Sequence, residues 1–154
     1  MKRGALTYIS KWLFVLLFAY TALSKFLDYN LFVFQMRRAP LPLIQAMAPV
    51  LGWIVPLIEI CLVIGLLTNR YSSKAQIASV GLLIIFEFYI TGMLLSGYPL
   101  PCSCGGIISK MSWKQHLIFN AAFIIIGLAG ILQNTNISRK EIKIDRNSKD
   151  LFSA

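Results

Sequence analysis

The sequence predicts an all-α fold, an integral membrane bundle of four transmembrane helices. Hydrophobic residues make up 57% of the chain and charged residues 14%, whereas soluble chains average about 45–50% and 25%. A chain of 154 residues has too little interior to bury this much apolar surface in water. The apolar residues also fall into four runs, each close to the roughly 20 residues that cross a bilayer as a helix. Lipid is therefore the expected solvent for most of the chain.

The four predicted helices occupy residues 9–27, 47–67, 75–95 and 113–132. Helices are expected because backbone groups in lipid must form their hydrogen bonds within their own segment. The short alternating segments of a membrane β-barrel are not seen. Residues 1–133 thus form one transmembrane domain. The polar and basic residues 134–154 are predicted to be a flexible cytoplasmic tail.

The first apolar run could alternatively be a cleaved signal peptide. It follows Lys2 and Arg3 and ends near the small residues Ala22 and Ser24, which is the usual signal architecture. Lys25 follows directly, and Asp28 stands one helical turn further on, where the two side chains could pair. We predict that the run is retained as a transmembrane helix.

The connection between the first two helices combines apolar side chains with prolines. Phe32, Phe34 and Met36 are apolar, while three prolines oppose a long helix, namely Pro40, Pro42 and Pro49. This composition predicts a short interfacial segment on the membrane surface, followed by an extended turn.

The net charge of +9 does not indicate a nucleic-acid partner. The basic residues form no stripe with interleaved aromatic side chains. They stand at the ends of the apolar runs, where lysine and arginine contact lipid headgroups and determine orientation.

The distribution of lysine and arginine predicts the orientation of the chain. One side of the four crossings carries ten of these residues and the other carries five, and the richer side normally faces the cytoplasm. Both termini are therefore expected in the cytoplasm, and the chain is expected in the inner membrane. The five on the outer side are Lys25, Arg37, Arg38, Lys110 and Lys114.

The loop before the fourth helix carries Cys102 and Cys104, separated by one residue. A disulfide needs Cα atoms about 4.4–6.8 Å apart, so the backbone must bend. Pro101 in front and the glycine pair behind make such a bend easy. A ring this small is strained, and strained disulfides are reduced readily. Because it would close almost no chain, it would stabilise little, and redox exchange is the favoured interpretation.

His116 completes the predicted catalytic set with Cys102 and Cys104. It stands near the start of the fourth helix and could accept a proton near neutral pH. Lys110 and Lys114 are nearby positive charges that would favour a thiolate. Two alternatives stay open. The two cysteines with Met111 and His116 are soft ligands that suit Cu(I), and the cysteines could simply pack a tight loop.

Two glutamates lie near the middle of the second and third apolar runs. Glu59 and Glu87 must each be paired, protonated or directed into a cavity, because an acidic group in lipid costs at least about 2.5 kcal/mol. The two could face each other and share a proton, or Lys25 could pair with Glu59. The functional interpretation is a proton path or a quinone head-group site at Lys25 and Glu59. The alternative is a hydrogen bond that fixes the register of the helices, which is favoured for Glu87.

Two further residues of the second run have structural interpretations. Pro56 is expected to kink the helix and to free a carbonyl that needs a partner. Cys61 is expected to be a small apolar residue of the core.

Three short motifs in a fixed order carry a family resemblance. Residues 24–28 read Ser-Lys-Phe-Leu-Asp, residues 56–59 read Pro-Leu-Ile-Glu, and residues 101–106 read Pro-Cys-Ser-Cys-Gly-Gly. Over residues 8–132 the chain resembles the DoxX-like superfamily, and most closely the methylamine-utilisation MauE family. Relatives more often have phenylalanine where Gly105 stands.

The resemblance implies a redox-associated membrane protein. Members are linked to maturation of the disulfide-rich small subunit of methylamine dehydrogenase, and more distant relatives are subunits of a thiosulfate:quinone oxidoreductase. The topology is also similar to that of quinone-linked disulfide-forming membrane proteins, which usually carry a second cysteine pair that this chain lacks.

We therefore expect thiol–disulfide exchange at the extracytoplasmic face, supporting the maturation of a periplasmic partner. The expected partner is an extracytoplasmic thiol or thioredoxin-like protein, and a quinone is the expected cofactor if electrons pass onward. The alternatives are a non-enzymatic maturation or transport factor of the methylamine-utilisation type, a subunit of a quinone-linked oxidoreductase, and a Cu(I)-handling protein.

Overall fold

A computed structural model describes residues 5–39, 41–95 and 113–152. The regular structure of these ranges consists of helices α1 (Ala5–Leu27), α2 (Tyr29–Arg37), α3 (Pro42–Leu67), α4 (Ser72–Leu95) and α5 (Trp113–Phe152). Helices α1, α3, α4 and α5 are each long and apolar enough to cross a membrane. The predicted all-α membrane fold is confirmed.

The four long helices pack as a closed ring. Helix α1 packs against α3 and α5, and α4 packs against the same two helices from the other side. Helices α1 and α4 finish at one end of the bundle, and α5 begins there. We call this end the loop end. The opposite end, where α1 begins and α3 and α4 meet, is the tail end. The segment 96–112, with its two cysteines, therefore connects two helices at the loop end.

Aromatic side chains fill the middle of the ring. Phe14 and Phe18 on α1 are fully buried, and they lie on one face because they are four residues apart. Their ring centroids are 6.0 Å apart, and Phe123 of α5 packs edge-on against Phe14 at 6.0 Å. Val80 and Leu83 complete this core from α4. Apolar side chains of α1, α4 and α5 therefore meet at mid-height.

The outer surface of the ring is also strongly apolar, as lipid requires. Large side chains such as Leu16, Phe88 and Ile118 are well exposed. Cys61 belongs to this outward surface, so its expected place in the core is wrong. It follows Glu59 by two residues, which corresponds to a rotation of about 200° around the helix. Since Glu59 points inward, Cys61 points away from the bundle.

Helix α3 begins five residues before the predicted 47 and contains Pro49 and Pro56. Pro42 occupies its first turn, where a missing N–H breaks no hydrogen bond. Membrane helices tolerate internal proline because neighbouring groups satisfy the freed carbonyl. Pro42 and Pro49 therefore do not exclude a long helix, and Pro40 lies outside the described residues. Helices α1 and α4 likewise begin a few residues earlier than the sequence predicts, at Ala5 and Ser72.

Helix α5 continues beyond the predicted end at residue 132 to Phe152. Its membrane-crossing part is Lys114–Asn136. At about 1.5 Å per residue its 40 residues extend roughly 60 Å, about twice the hydrocarbon thickness. The last turns therefore project past the tail end. The cytoplasmic position and the flexibility of residues 134–154 stay predictions.

The short helix α2 fills part of the predicted interfacial segment and packs mainly against α3. The Tyr29 hydroxyl donates a hydrogen bond to the Pro49 carbonyl at 3.1 Å. Gly52 permits this close approach, because a Cβ there would lie 2.7 Å from the Val33 side chain and 2.8 Å from the Tyr29 ring. Helix α2 is thus held over the first half of α3.

Candidate functional site

A polar cluster lies inside the ring toward the loop end. Its centre is an ion pair between α1 and α3, in which Lys25 Nζ lies 2.5 Å from Glu59 Oε1. The exposed fraction is 1% for the Glu59 side chain and 16% for that of Lys25. The carboxylate is therefore deep, and the ammonium lies between it and the surface.

The partners of Glu59 leave half of its carboxyl group unsatisfied. The Thr21 hydroxyl also interacts with this carboxyl by a side-chain hydrogen bond and lies 3.3 Å from the Phe18 carbonyl. Within the described part of the chain, Glu59 Oε2 is buried without a hydrogen-bond partner. The Ser24 hydroxyl, next to Lys25, is also buried without a hydrogen-bond partner in these ranges. Both atoms can still bind a further polar group.

Two aromatic rings surround the Lys25 ammonium. Its Nζ lies 5.7 Å from the centroid of the Phe32 ring on α2 and 5.9 Å from that of Phe86 on α4. Distances of this size allow a cation–π attraction, which is strongest where water is excluded. Helix α2, held by the Tyr29 hydrogen bond, therefore contributes one wall of the cluster.

Helix α5 brings His116 to the same cluster. The side chain is half-buried in the first turns of α5, and it lies close enough to Lys25 for the two groups to interact electrostatically. The structure thus brings together three of the residues that the sequence singled out, Lys25, Glu59 and His116. They come from three different helices.

A second acidic group borders the cluster from α4. Glu87 forms a hydrogen bond with Asn120 of α5, and Asn120 follows His116 by four residues, which places both on one helix face. Glu87 Oε2 has no hydrogen-bond partner among the described residues. The two glutamates have different partners, Lys25 and Asn120. Asp28 is exposed, and Lys25 pairs with Glu59 instead.

Sequence reasoning missed Asn120, Phe32 and Phe86 as members of the cluster. Asn120 carried a usable signal, because an asparagine four residues after His116 in an apolar run must find a polar partner. The two phenylalanines carried none, since aromatic residues are common throughout these helices.

The predicted catalytic residues Cys102 and Cys104 lie outside the described residues, as do Lys110 and Met111. The flanking helices still restrict where the loop is attached, because α4 ends at Leu95 and α5 begins at Trp113. His116 stands three residues after this start. The candidate site thus consists of a described polar cluster and the adjacent loop.

Within the described ranges, no three histidine, cysteine, aspartate or glutamate side chains are grouped so that they could hold a metal ion. Only His116 of the proposed Cu(I) ligands belongs to these ranges. The described cluster offers instead an ammonium, two carboxyl groups and an imidazole, which are groups that move protons and stabilise charge.

Comparison with known proteins adds the family. The family model described as methylamine utilisation protein MauE matches residues 3–133. No curated protein and no solved structure matches the chain. The matched range contains all four membrane-crossing helices, apart from the last residues of the fourth, and the whole polar cluster. The chain is a multi-pass membrane protein and belongs to the MauE family of methylamine utilisation proteins.

Proposed function

We propose that the chain exchanges thiols and disulfides with an extracytoplasmic partner through Cys102 and Cys104. The observation that supports this most directly is that His116, near the start of α5, lies within electrostatic reach of Lys25 at the loop end. A cation and a proton acceptor at the base of a Cys-Ser-Cys loop are the groups that thiolate chemistry uses.

The proposed reaction begins with an oxidised Cys102–Cys104 pair. A thiolate of the partner attacks one sulfur, the intramolecular S–S bond breaks, and a mixed disulfide forms while the other cysteine leaves as a thiolate. A second thiolate of the partner attacks the mixed disulfide and releases the second cysteine. The partner gains a disulfide, and two electrons reduce the pair. The protons lost by the partner thiols pass to the two cysteine thiolates, and His116 is the proposed carrier.

Reoxidation of the pair needs an acceptor of two electrons. A lipid-soluble quinone and an oxidised thioredoxin-like protein are the two chemical classes that fit a membrane site. The Lys25–Glu59 pair between the Phe32 and Phe86 rings could bind a quinone head group, since the ammonium can donate to a carbonyl and the rings can cover a flat ring system. A bound quinone would accept the two electrons of the reduced cysteine pair.

Trapping of the mixed disulfide tests the proposed exchange. The Cys104→Ala variant leaves Cys102 without its resolving partner. When it is mixed with the disulfide form of the partner or with a small disulfide, the Cys102 thiolate attacks the S–S bond and releases one thiol, so a covalent complex should accumulate and disappear on reduction. Cys61→Ser is the matched control, because Cys61 lies on the outer surface away from the cluster and its loss should change nothing. If no complex ever forms and the wild-type pair never changes its redox state, the proposal is wrong.

Family membership favours a second candidate, a maturation factor of the methylamine-utilisation type that works without redox chemistry. The loop would then be a docking element for the periplasmic partner. Replacing both loop cysteines by serine separates the two candidates. Maturation of the partner is lost if exchange is the function, and it is retained if the loop only docks.

A further inference from the structure

Buried polar side chains form two separate groups along the bundle axis. Six polar or charged side chains are buried in the described ranges, and they divide equally between the two ends: Ser10, Gln76 and Ser79 toward the tail end, and Ser24, Glu59 and Asn120 toward the loop end. The two groups differ in how well their hydrogen bonds are satisfied.

The tail-end group is bonded internally for the most part. Gln76 Nε2 donates to Ser10 Oγ at 2.8 Å, and Ser10 Oγ donates to the Thr7 carbonyl at 3.0 Å. The Thr7 hydroxyl donates to the Gly130 carbonyl at 3.1 Å. Ser79 Oγ is its one buried atom without a partner in the described ranges. The hydrogen bonds of this group therefore join α1, α4 and α5.

The loop-end group contains several buried atoms with unused capacity. Ser24 Oγ, Glu59 Oε2 and Glu87 Oε2 are all buried without a hydrogen-bond partner among the residues described. Isolated buried polar atoms are strongly unfavourable inside a membrane. Intramembrane carboxyl groups accordingly face a bundle interior or a water-filled cavity. Water is the ligand that suits this set best, because it donates to the two carboxyl oxygens and accepts from the serine hydroxyl.

An aromatic and aliphatic layer separates the two groups. Phe14, Phe18 and Phe123 occupy the level between Ser10 and Thr21 of α1, with Val80 and Leu83 from α4. The rise from residue 10 to residue 21 is about 16 Å. Ser79 adjoins this layer on its tail-end side, one residue before Val80, and no other buried polar side chain of the described ranges lies at this level. A chain of water molecules therefore has no continuous set of groups to bind across the layer.

We propose that the loop-end cluster is a water-filled chamber, open to solution at the loop end and sealed from the tail end by the Phe14–Phe18–Phe123 layer. Lys25, which is more exposed than Glu59, lies at its mouth. Protons of Glu59, Glu87 and His116 then exchange with one side of the membrane only. The inference concerns water access and holds whether or not the cysteines exchange disulfides.

Two buried serines with unpartnered hydroxyls allow a matched test. Ser24→Cys places a thiol in the chamber, and Ser79→Cys places the same group at the tail-end edge of the layer, both in a background with Cys61, Cys102 and Cys104 replaced by serine. Asn30→Cys on α2 and Asn69→Cys in the turn after α3, both exposed positions, mark the loop-end and tail-end sides. A small charged methanethiosulfonate reagent is added to one side of sealed vesicles, and labelling rates are measured.

The expected result is that Ser24→Cys reacts only from the side that labels Asn30→Cys. Ser79→Cys should react at least about tenfold more slowly from that side, because apolar surroundings suppress the reactive thiolate. Thr21→Cys serves as a second chamber position if Ser24→Cys lowers the thermal midpoint. Three outcomes would each overturn the proposal. The chamber thiols could be inert from both sides, they could react from the tail-end side, or they could react no faster than Ser79→Cys.

Discussion

Lys25 on α1 and Glu59 on α3 form an ion pair whose carboxylate is almost completely buried, with Nζ 2.5 Å from Oε1. The two residues are 34 positions apart in the chain, so the pair fixes the end of one membrane helix against the middle of another. In a low-dielectric interior such a pair is favourable only when both partners are present. This dependence leads directly to a stability test.

Removing one member of the pair should leave the other without its partner, so the effects of the two removals should not add. Lys25→Met should lower the free energy of unfolding by about 3–5 kcal/mol, because it leaves the buried Glu59 carboxylate without its partner. Glu59→Met should cost less, because the Lys25 side chain is 16% exposed. The double variant should lose less than the sum, with a coupling of about 1–3 kcal/mol. Reversible unfolding in mixed micelles, titrated with a denaturing detergent, measures all four proteins.

The exposed Lys74 provides the control for loss of a positive charge. Lys74→Met should change the free energy of unfolding by no more than about 0.5 kcal/mol. Strict additivity of the two single substitutions at Lys25 and Glu59 would contradict a direct interaction between them.

The sequence predicted the main members of the site because charges inside apolar runs are conspicuous. Lys25, Glu59 and Glu87 each demand a partner in lipid, and similar depth suggested which helices would meet. The partners themselves depended on helix rotation. Asn120, and not Glu59, pairs with Glu87, since interhelical packing decides which faces meet, and this packing is not encoded in local periodicity.

Helix ends were predicted less well than helix positions, and for one physical reason. The apolar runs report the part of a helix that contacts lipid, whereas hydrogen bonding continues into polar sequence. Helix α5 continues to Phe152, where polarity suggested a tail, and α3 begins at Pro42, where prolines suggested a turn. The outward position of Cys61 follows from the direction of Glu59, which the sequence alone did not fix.

The close approach of α5 to α1 and α4 should depend on Gly127. A Cβ at this position would lie 2.6 Å from Val80 Cγ2 and 2.7 Å from Phe14 Cε2, and Phe14 is fully buried and cannot move aside. Gly127→Ala should therefore lower the free energy of unfolding by about 1–3 kcal/mol, the usual cost of overpacking. Thermal and detergent unfolding of the purified protein measure the change.

Gly81 of α4 is the matched control, since a Cβ there would meet no atom within 4 Å. Gly81→Ala should be neutral or stabilise the helix by up to about 1 kcal/mol. Equal effects of the two alanine substitutions would show that close packing at Gly127 is unimportant.

The orientation of the bundle is the third prediction. Because ten of the fifteen basic residues lie on the tail-end side, we expect the loop end to face outward and both termini to face the cytoplasm. In a background without native cysteines, Asn30→Cys should be labelled in intact cells by an impermeant maleimide. Asn69→Cys should be labelled only after the membrane is opened. The reverse pattern would place the Cys102–Cys104 loop in the reducing cytosol and remove the basis of the proposed exchange.

His116 should accelerate the chemistry of the loop cysteines if it accepts their protons. With the pair reduced, His116→Gln should slow the reaction with a small disulfide near pH 7 by about tenfold to a hundredfold, within or below the usual range for a general base. The difference should shrink as the pH rises through about 8.5, the ordinary pKa of a cysteine thiol, because solution base then removes the proton. Stopped-flow absorbance across this pH range gives both rates.

Lys114 provides the control from the same helix, two residues away and exposed. Lys114→Gln removes a basic group near the loop without touching the buried cluster, so its rate should change much less and without the pH dependence expected for His116→Gln. An equal loss in both variants would indicate that only the general positive potential matters. An unchanged rate in His116→Gln would remove the imidazole from the mechanism, while mixed-disulfide trapping through Cys102 would still test the exchange itself.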